Sequence, residues 1–166
     1  MNLSDILGNS RVFVDANIVL YALQHRSRQC RSFLERCAAG SIEGYISTVV
    51  LAEIAHRRMM QEAQQRGVVG SNPSRSLSEK PELVRQLSLY AEDVRDLLDG
   101  GLIVESVTPE DFLIGLELQE QNGLLTNDAL NLALAKRLGI REVATADKVF
   151  DSVQGIIVYK PGDLIH

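Results

Sequence analysis

Two apolar patterns alternate along the chain. Short, unbroken apolar runs at 11–14, 45–47, 102–104, 142–145 and 156–159 read as strands. Between them the apolar positions recur at helical spacing. One helix starts near Ile18 and runs to Leu23. A second, 29–39, carries Cys30, Phe33, Leu34 and Cys37 on one face and stops at Gly40. Ser47 or Thr48 can cap a third, from Val49 to about Gln65. Residues 67–81 are rich in Gly, Ser, Asn and Pro and predict a loop. Pro81 suits the first turn of a helix reaching Leu98, which Gly100-Gly101 breaks. Thr108-Pro109-Glu110-Asp111 combines an N-cap, proline at the first helical position and acids in the first turn. That helix should end at Asn122-Gly123. Thr126 or Asn127 should cap the next one, which Gly139 closes.

Strands that are short, apolar and separated by helices predict an α/β fold with a parallel sheet covered on both faces. The 166 residues suit one domain, 1–166, with a helical insertion around 60–98. Hydrophobic residues make up 45% and charged residues 23%, so the composition is that of a folded chain rather than a disordered one. No apolar run approaches the roughly 20 residues that span a bilayer, and the first residues lack a secretory pattern. The expected location is cytoplasmic. Cys30 and Cys37, two turns apart on one helix, are ~10 Å apart by helical rise, too far for a disulfide. They read as buried thiols.

Net charge is −5, where a purely electrostatic nucleic-acid binder would be basic. Acids gathered into a cation site would reconcile this charge with a nucleic-acid substrate, because a bound divalent ion reverses the local sign.

Ligands of open parallel sheets bind outside the carboxyl ends of the strands. Asp15 follows the first strand, Glu53 lies in the first turns after the second, Asp128 opens a later helix, and Asp147 follows the fourth strand with Asp151 four residues on. Singly, each has an ordinary explanation. Asp15 and Asp147 are candidate helix caps, and Asp128 complements a helix dipole. Glu53 stands in an apolar stretch, Val49 to Ala55, and can pair with Arg57 at i+4. Collectively they repel one another and call for a cation. Oxygen-only donors point to Mg²⁺ or Mn²⁺ rather than zinc. His25, His56 and His166 have no metal-ligand spacing, and no Ser-His-Asp or Cys-His arrangement, P-loop or GxGxxG is present.

Four segments then resemble one family. Val12-Phe13-Val14-Asp15-Ala16-Asn17-Ile18, Ser47-Thr48-Val49-Val50-Leu51-Ala52-Glu53-Ile54, Asn127-Asp128-Ala129-Leu130-Asn131 and Val143-Ala144-Thr145-Ala146-Asp147-Lys148-Val149-Phe150 are similar, in order, to the motifs of PIN-domain nucleases. The resemblance runs from Arg11 to Tyr159. It implies a three-layer α/β/α fold with a central, mainly parallel sheet of about five short strands. It implies Mg²⁺- or Mn²⁺-dependent hydrolysis of RNA, with Asp15, Glu53, Asp128 and Asp147 as the metal-binding, catalytic acids. Asn17 and Thr145 would support them, and Asp151 would be an auxiliary acid. It further implies a homodimer and, as in VapC-type toxins, an antitoxin partner. The separation of 75 positions from Glu53 to Asp128 exceeds the spacing expected of a compact toxin, which bears on the toxin role more than on nuclease chemistry.

Arg26, Arg28, Arg31, Arg57 and Arg58 are the candidate RNA contacts, since the guanidinium fork suits phosphates. Three other readings compete. An RNA-processing nuclease would keep the chemistry without the toxin role. A haloacid-dehalogenase-like phosphatase would need an acid two residues after Asp15, where this chain has Asn17. A non-catalytic RNA- or protein-binding module would have no use for the four acids.

Overall fold

The computed structural model of the protein describes residues 1–69 and 73–164. After a 3₁₀ turn at Leu3–Asp5 the chain forms β1 (Arg11–Val14), α1 (Ala16–Leu23), α2 (Arg28–Ala38), β2 (Glu43–Ser47) and α3 (Thr48–Gln65). Next come α4 (Pro73–Glu79), α5 (Pro81–Val84), α6 (Leu89–Asp99) and β3 (Ile103–Glu105). The last part is α7 (Pro109–Asn122), α8 (Thr126–Arg137), β4 (Glu142–Ala144), a 3₁₀ turn at Lys148–Ser152 and β5 (Ile157–Tyr159).

The five strands make one sheet in the order β3-β2-β1-β4-β5, every pair parallel. Helices flank it, as the alternating pattern predicted. The central strand β1 has Val12, Phe13 and Val14 all buried, because a strand covered on both faces has no solvent side to alternate toward. From β1 the chain steps outward through β2 to β3, then returns to the other side of β1 for β4 and β5. The strand order therefore reverses between β1 and β4. Their carboxyl ends form the crevice where open α/β sheets bind ligands.

The largest core cluster joins β1, β2 and β4 to α1 and α2, with Phe33, Ile18, Leu20 and Ile46 deep inside. A second joins Leu118 and Leu124 to Ala129, Leu132 and Ala133 of α8 and to Phe150. Helix α8 serves both clusters, which is why its apolar residues run around the helix instead of forming one stripe. Gly115 of α7 lets α8 approach closely, since a Cβ there would lie 3.1 Å from the Leu130 side chain. Gly123 closes α7 at φ 68°, a left-handed position suited to glycine. Cys30 and Cys37 are buried and free, and burial pushes each thiol up to about 11.

Several boundaries differ from expectation, each for a tertiary reason. The predicted loop 67–81 contains α4, because Leu77 packs with Ala63 and Leu87 in a third apolar cluster. Residues 70–72 of that loop lie outside the described residues. The predicted helix 81–98 is interrupted between Val84 and Leu89. Glu62 of α3, 4% exposed, accepts the backbone N–H groups of Ser88 at 3.1 Å and Tyr90 at 3.1 Å. It thus caps α6 from a distant helix. Burial pushes the Glu62 carboxyl up, but those N–H groups and Arg66 outweigh it and hold the group below its ordinary value. Helix α8 starts after Leu125 with no side-chain cap, so neither Thr126 nor Asn127 caps it. Among the described residues no helix is long and apolar enough to cross a membrane.

Candidate active site

Asp15 occupies the reversal point of the sheet, where β1 ends and α1 begins. Its N–H donates to Ala144 O at 2.9 Å, extending the β1–β4 ladder by one residue. Its side chain is the N-cap of α1, with Oδ1 accepting the Ala16 N–H at 2.7 Å. The capping role and a position in the crevice thus coincide. Oδ2 accepts the Thr145 hydroxyl at 2.6 Å and the Asn17 amide at 2.5 Å.

The two supporting residues join β1 to β4. Thr145 Oγ1, besides donating to Asp15, accepts the Asp147 N–H at 3.0 Å. Asn17 donates to Asp15 and accepts the Ala146 N–H at 2.9 Å. One buried hydroxyl and one amide therefore fix the carboxylate after β1 relative to the backbone after β4. Asp147 in turn caps the 3₁₀ turn that follows it, accepting the Val149 N–H at 3.0 Å.

Glu53 and Asp128 approach from helices. Glu53 projects from α3 and takes a hydrogen bond from Arg57 at 3.2 Å, the i+4 pair anticipated from sequence. Asp128 lies in the first turn of α8 and accepts no hydrogen bond among the described residues. A buried polar tether relates these helices: the Ser47 hydroxyl donates to Asn131 Oδ1 at 2.6 Å. Ser47 caps α3 through the Val50 N–H, while Asn131 is one turn beyond Asp128.

Asp15 and Asp128 both feel the acids around them. Burial first, and then the charges of Asp15, Asp147 and Glu53, together raise the Asp128 carboxyl to about 6. Asp15 is raised mainly by burial, opposed by its Thr145 and Ala16 hydrogen bonds and reinforced by Glu53 and Asp147. Among the described residues, no three His, Cys, Asp or Glu side chains form a ready-made metal-ligand group. The donor set nevertheless fits a hard divalent cation. It is oxygen-only, electrostatically coupled and short of positive charge, and Mg²⁺ completes its octahedron with water rather than with a full protein cage.

The remaining predicted residues are spread out. Asp151 is ion-paired with Lys160 at 2.6 Å and is not among the groups that perturb Asp15 or Asp128. Arg26 lies over the Tyr21 ring, 4.9 Å from its centroid. Arg31 is bonded to His25, and Arg28 is exposed. Arg58 is turned inward onto Asp93 and Gln61. Arg57 lines a cleft of about 440 Å³ with Asn17, Tyr21, Ala146, Asp147 and Lys148. Neither Tyr21 nor Lys148 was singled out from sequence. The i, i+4 spacing of Asn17 and Tyr21 on α1 was the available signal for the tyrosine.

Solved structures share this architecture at low sequence identity. The VapBC2 complex of Rickettsia felis, crystallised on a DNA fragment from its promoter, superposes with a TM-score of 0.57 at 19% identity, covering 90% of this chain and 98% of that one. VapC20 of Mycobacterium tuberculosis, described as a toxin that cleaves the sarcin–ricin loop, gives 0.56 at 17%, covering 87% and 96%. DNA-bound VapBC of Salmonella typhimurium gives 0.55 at 13%, covering 91% and 98%. At such identities the likeness is one of fold. No curated protein matches the chain by sequence. The sequence itself matches the PIN domain over residues 12–156, a span that begins in β1, ends just before β5 and contains all four acids. The chain belongs to the PIN-domain family.

Proposed function

We propose that the protein is a Mg²⁺- or Mn²⁺-dependent ribonuclease, the toxin of a toxin–antitoxin pair, with Asp15, Glu53, Asp128 and Asp147 as its metal-binding and catalytic acids. Members of this family are typically metal-dependent nucleases. The observation that carries the proposal is that Asp15, at the β1/β4 reversal point, and Asp128 are both raised by burial and by the nearby charges of Glu53 and Asp147. Capping and pairing account for Asp15, Asp147 and Glu53 one at a time, but not for their gathering around Asp128, which their charges push upward.

Asp15 is the fixed member. Thr145 and Asn17 hold its Oδ2, and the α1 N-terminus holds its Oδ1. Asp147 is positioned through its own N–H on Thr145, which leaves its Oδ2 without a hydrogen bond among the described residues. Asp128, without a hydrogen bond among the described residues and raised by burial and its neighbours, would be relieved by a cation. Glu53 can exchange its Arg57 bond for an ion or an ion-bound water. When bound, Mg²⁺ or Mn²⁺ supplies a water of lowered pKa and offsets charge on the phosphoryl and leaving oxygens. Arg57 faces the cleft beside Asp147, and Arg26, Arg28 and Arg31 are candidates for more distant phosphates. The phosphatase reading is disfavoured because Asn17, committed to Asp15 and Ala146, cannot supply a proton.

The antitoxin rests on the likeness to complexes crystallised as VapBC pairs. The homodimer is supported by an apolar surface on α7, where Phe112, Leu113 and Leu116 are exposed. Incubation of a labelled RNA with the protein tests the reading. Cleavage with Mg²⁺ or Mn²⁺, abolished by EDTA and by Asp15→Asn, is expected. Cleavage at the parent rate by Asp15→Asn, or none by the parent on any RNA offered, would reject it. Growth arrest on expression, relieved by the product of a neighbouring gene, separates a toxin from a processing enzyme.

A further inference from the structure

From the cleft beside Asp147 we infer that Tyr21 is a base-stacking residue and Lys148 a phosphate contact, so that this cleft seats the nucleotide adjoining the cleaved bond. The inference rests on the ribonuclease reading and deepens it.

Asp147 belongs both to the acid group and to the wall of the cleft. A nucleotide seated there presents its phosphate next to the acids. Asn17, which anchors Asp15, also lines the cleft, and Tyr21 stands one turn further along the same face of α1. The ring is therefore carried by the helix whose N-cap is the buried acid. The Arg26 guanidinium lies 4.9 Å from the ring centroid, and the Arg26 N–H returns to Tyr21 O at 2.9 Å. The guanidinium thus covers one face of the ring, and a base stacks either in its place on the ring or on its outer plane, since unpaired bases stack on aromatic faces and on guanidinium planes. The Tyr21 hydroxyl has no hydrogen-bond partner among the described residues, so it is free to meet a base edge or a ribose hydroxyl.

Charge supports the same placement. A polyanion approaching a protein of net charge −5 needs local cations. Lys148 is exposed and forms no ion pair among the described residues, and Arg57 keeps only its bond to Glu53. Both line the cleft. The competing explanation for Tyr21 is packing alone, since its ring also rests partly on the main core.

Fluorescence anisotropy on an Asp15→Asn background, in Mg²⁺, separates the two. The probes are a labelled unstructured oligoribonucleotide and an abasic ribose-phosphate chain of equal length. The protein should bind the base-bearing probe more tightly. Tyr21→Leu, which keeps the apolar packing, should erase that preference and weaken binding about tenfold, within the range of a base–aromatic stack. Tyr21→Phe should keep the preference. Lys148→Ala should weaken both probes alike and lower the salt slope by about one. Parental affinity and preference in Tyr21→Leu would overturn the inference while the parent still cleaves RNA. A parent that neither binds nor cleaves would remove the ribonuclease reading and this inference with it.

Discussion

The Ser47 hydroxyl donates to Asn131 Oδ1 at 2.6 Å, and both side chains are buried, Ser47 at 0% and Asn131 at 3% exposure. This bond ties the N-terminus of α3, which carries Glu53, to the first turns of α8, which carry Asp128. It sets the separation of two candidate ligands that no backbone ladder connects. Asn131→Ala would leave the Ser47 hydroxyl buried without its acceptor, at a cost of about 1–3 kcal/mol. Urea unfolding should show that loss. Metal affinity should also fall in protein that remains folded. Unchanged stability and affinity would mean the bond positions nothing.

Asp128 gives a prediction of opposite sign. Its folded pKa of about 6 lies above the ordinary carboxylate value, so the folded state holds its proton more tightly than the unfolded chain does. The cost of ionising it in the fold sets in as pH rises through the ordinary value and is complete above about 6. Asp128→Asn should therefore stabilise the metal-free protein at pH 7–8 while removing RNA cleavage. Each kcal/mol recovered raises Tm by ~2–4 °C in a chain of this length. Adding Mn²⁺ should raise the parent Tm and raise that of Asp128→Asn less. A Tm that falls in metal-free Asp128→Asn contradicts the electrostatic account.

Asp111 behaves in the other direction. Burial pushes its carboxyl up, but Arg137, contacting it at 3.0 Å, and the Thr108 N–H at 2.8 Å hold it below the ordinary value. A depressed carboxyl contributes stability that is present above the unfolded pKa and lost as pH falls through the folded one. Acid unfolding followed by circular dichroism should begin below about pH 4, where carboxylates of ordinary pKa take up protons. Asp111→Ala should cost about 1–3 kcal/mol at neutral pH, because it removes the acceptor of the part-exposed Arg137 and the α7 capping box. A loss under 1 kcal/mol would show that Arg137 finds water instead.

Glu62 makes a local prediction. Glu62→Gln replaces a charged acceptor that serves two N–H groups with a single neutral oxygen. Amide exchange at Ser88 to Tyr90 should accelerate, with α1 and α2 unaffected. Equal exchange in both proteins would place the cap of α6 elsewhere.

The strands were legible because each carries a short apolar run whose pattern needs no partner to be recognised, although only the inner strands bury it fully and Ile103 and Ile157 of the outer ones are exposed. Asp15 and Asp147 were legible because they directly follow such runs. The Glu53–Arg57 pair followed from helical spacing alone. What local sequence did not carry was set by contacts over long separations. The break before α6 depends on Glu62, 26 residues before Ser88. Helix α4 depends on Leu77 finding Ala63 and Leu87. Asn131, present in the sequence only as part of the third family-like segment, takes its role from Ser47, 84 residues away. Tyr21 and Lys148 acquire meaning only from the cleft they share with Asp147.

The central claim is that carboxylates from β1, α8 and β4 converge on one cation. Anomalous scattering from crystals equilibrated with Mn²⁺, at a concentration that supports RNA cleavage, addresses it most directly. The account predicts a manganese peak within ligand distance of Asp15 and of Asp128 or Asp147, with Glu53 in direct or water-mediated contact. A peak bound elsewhere, or none among these side chains, would contradict it.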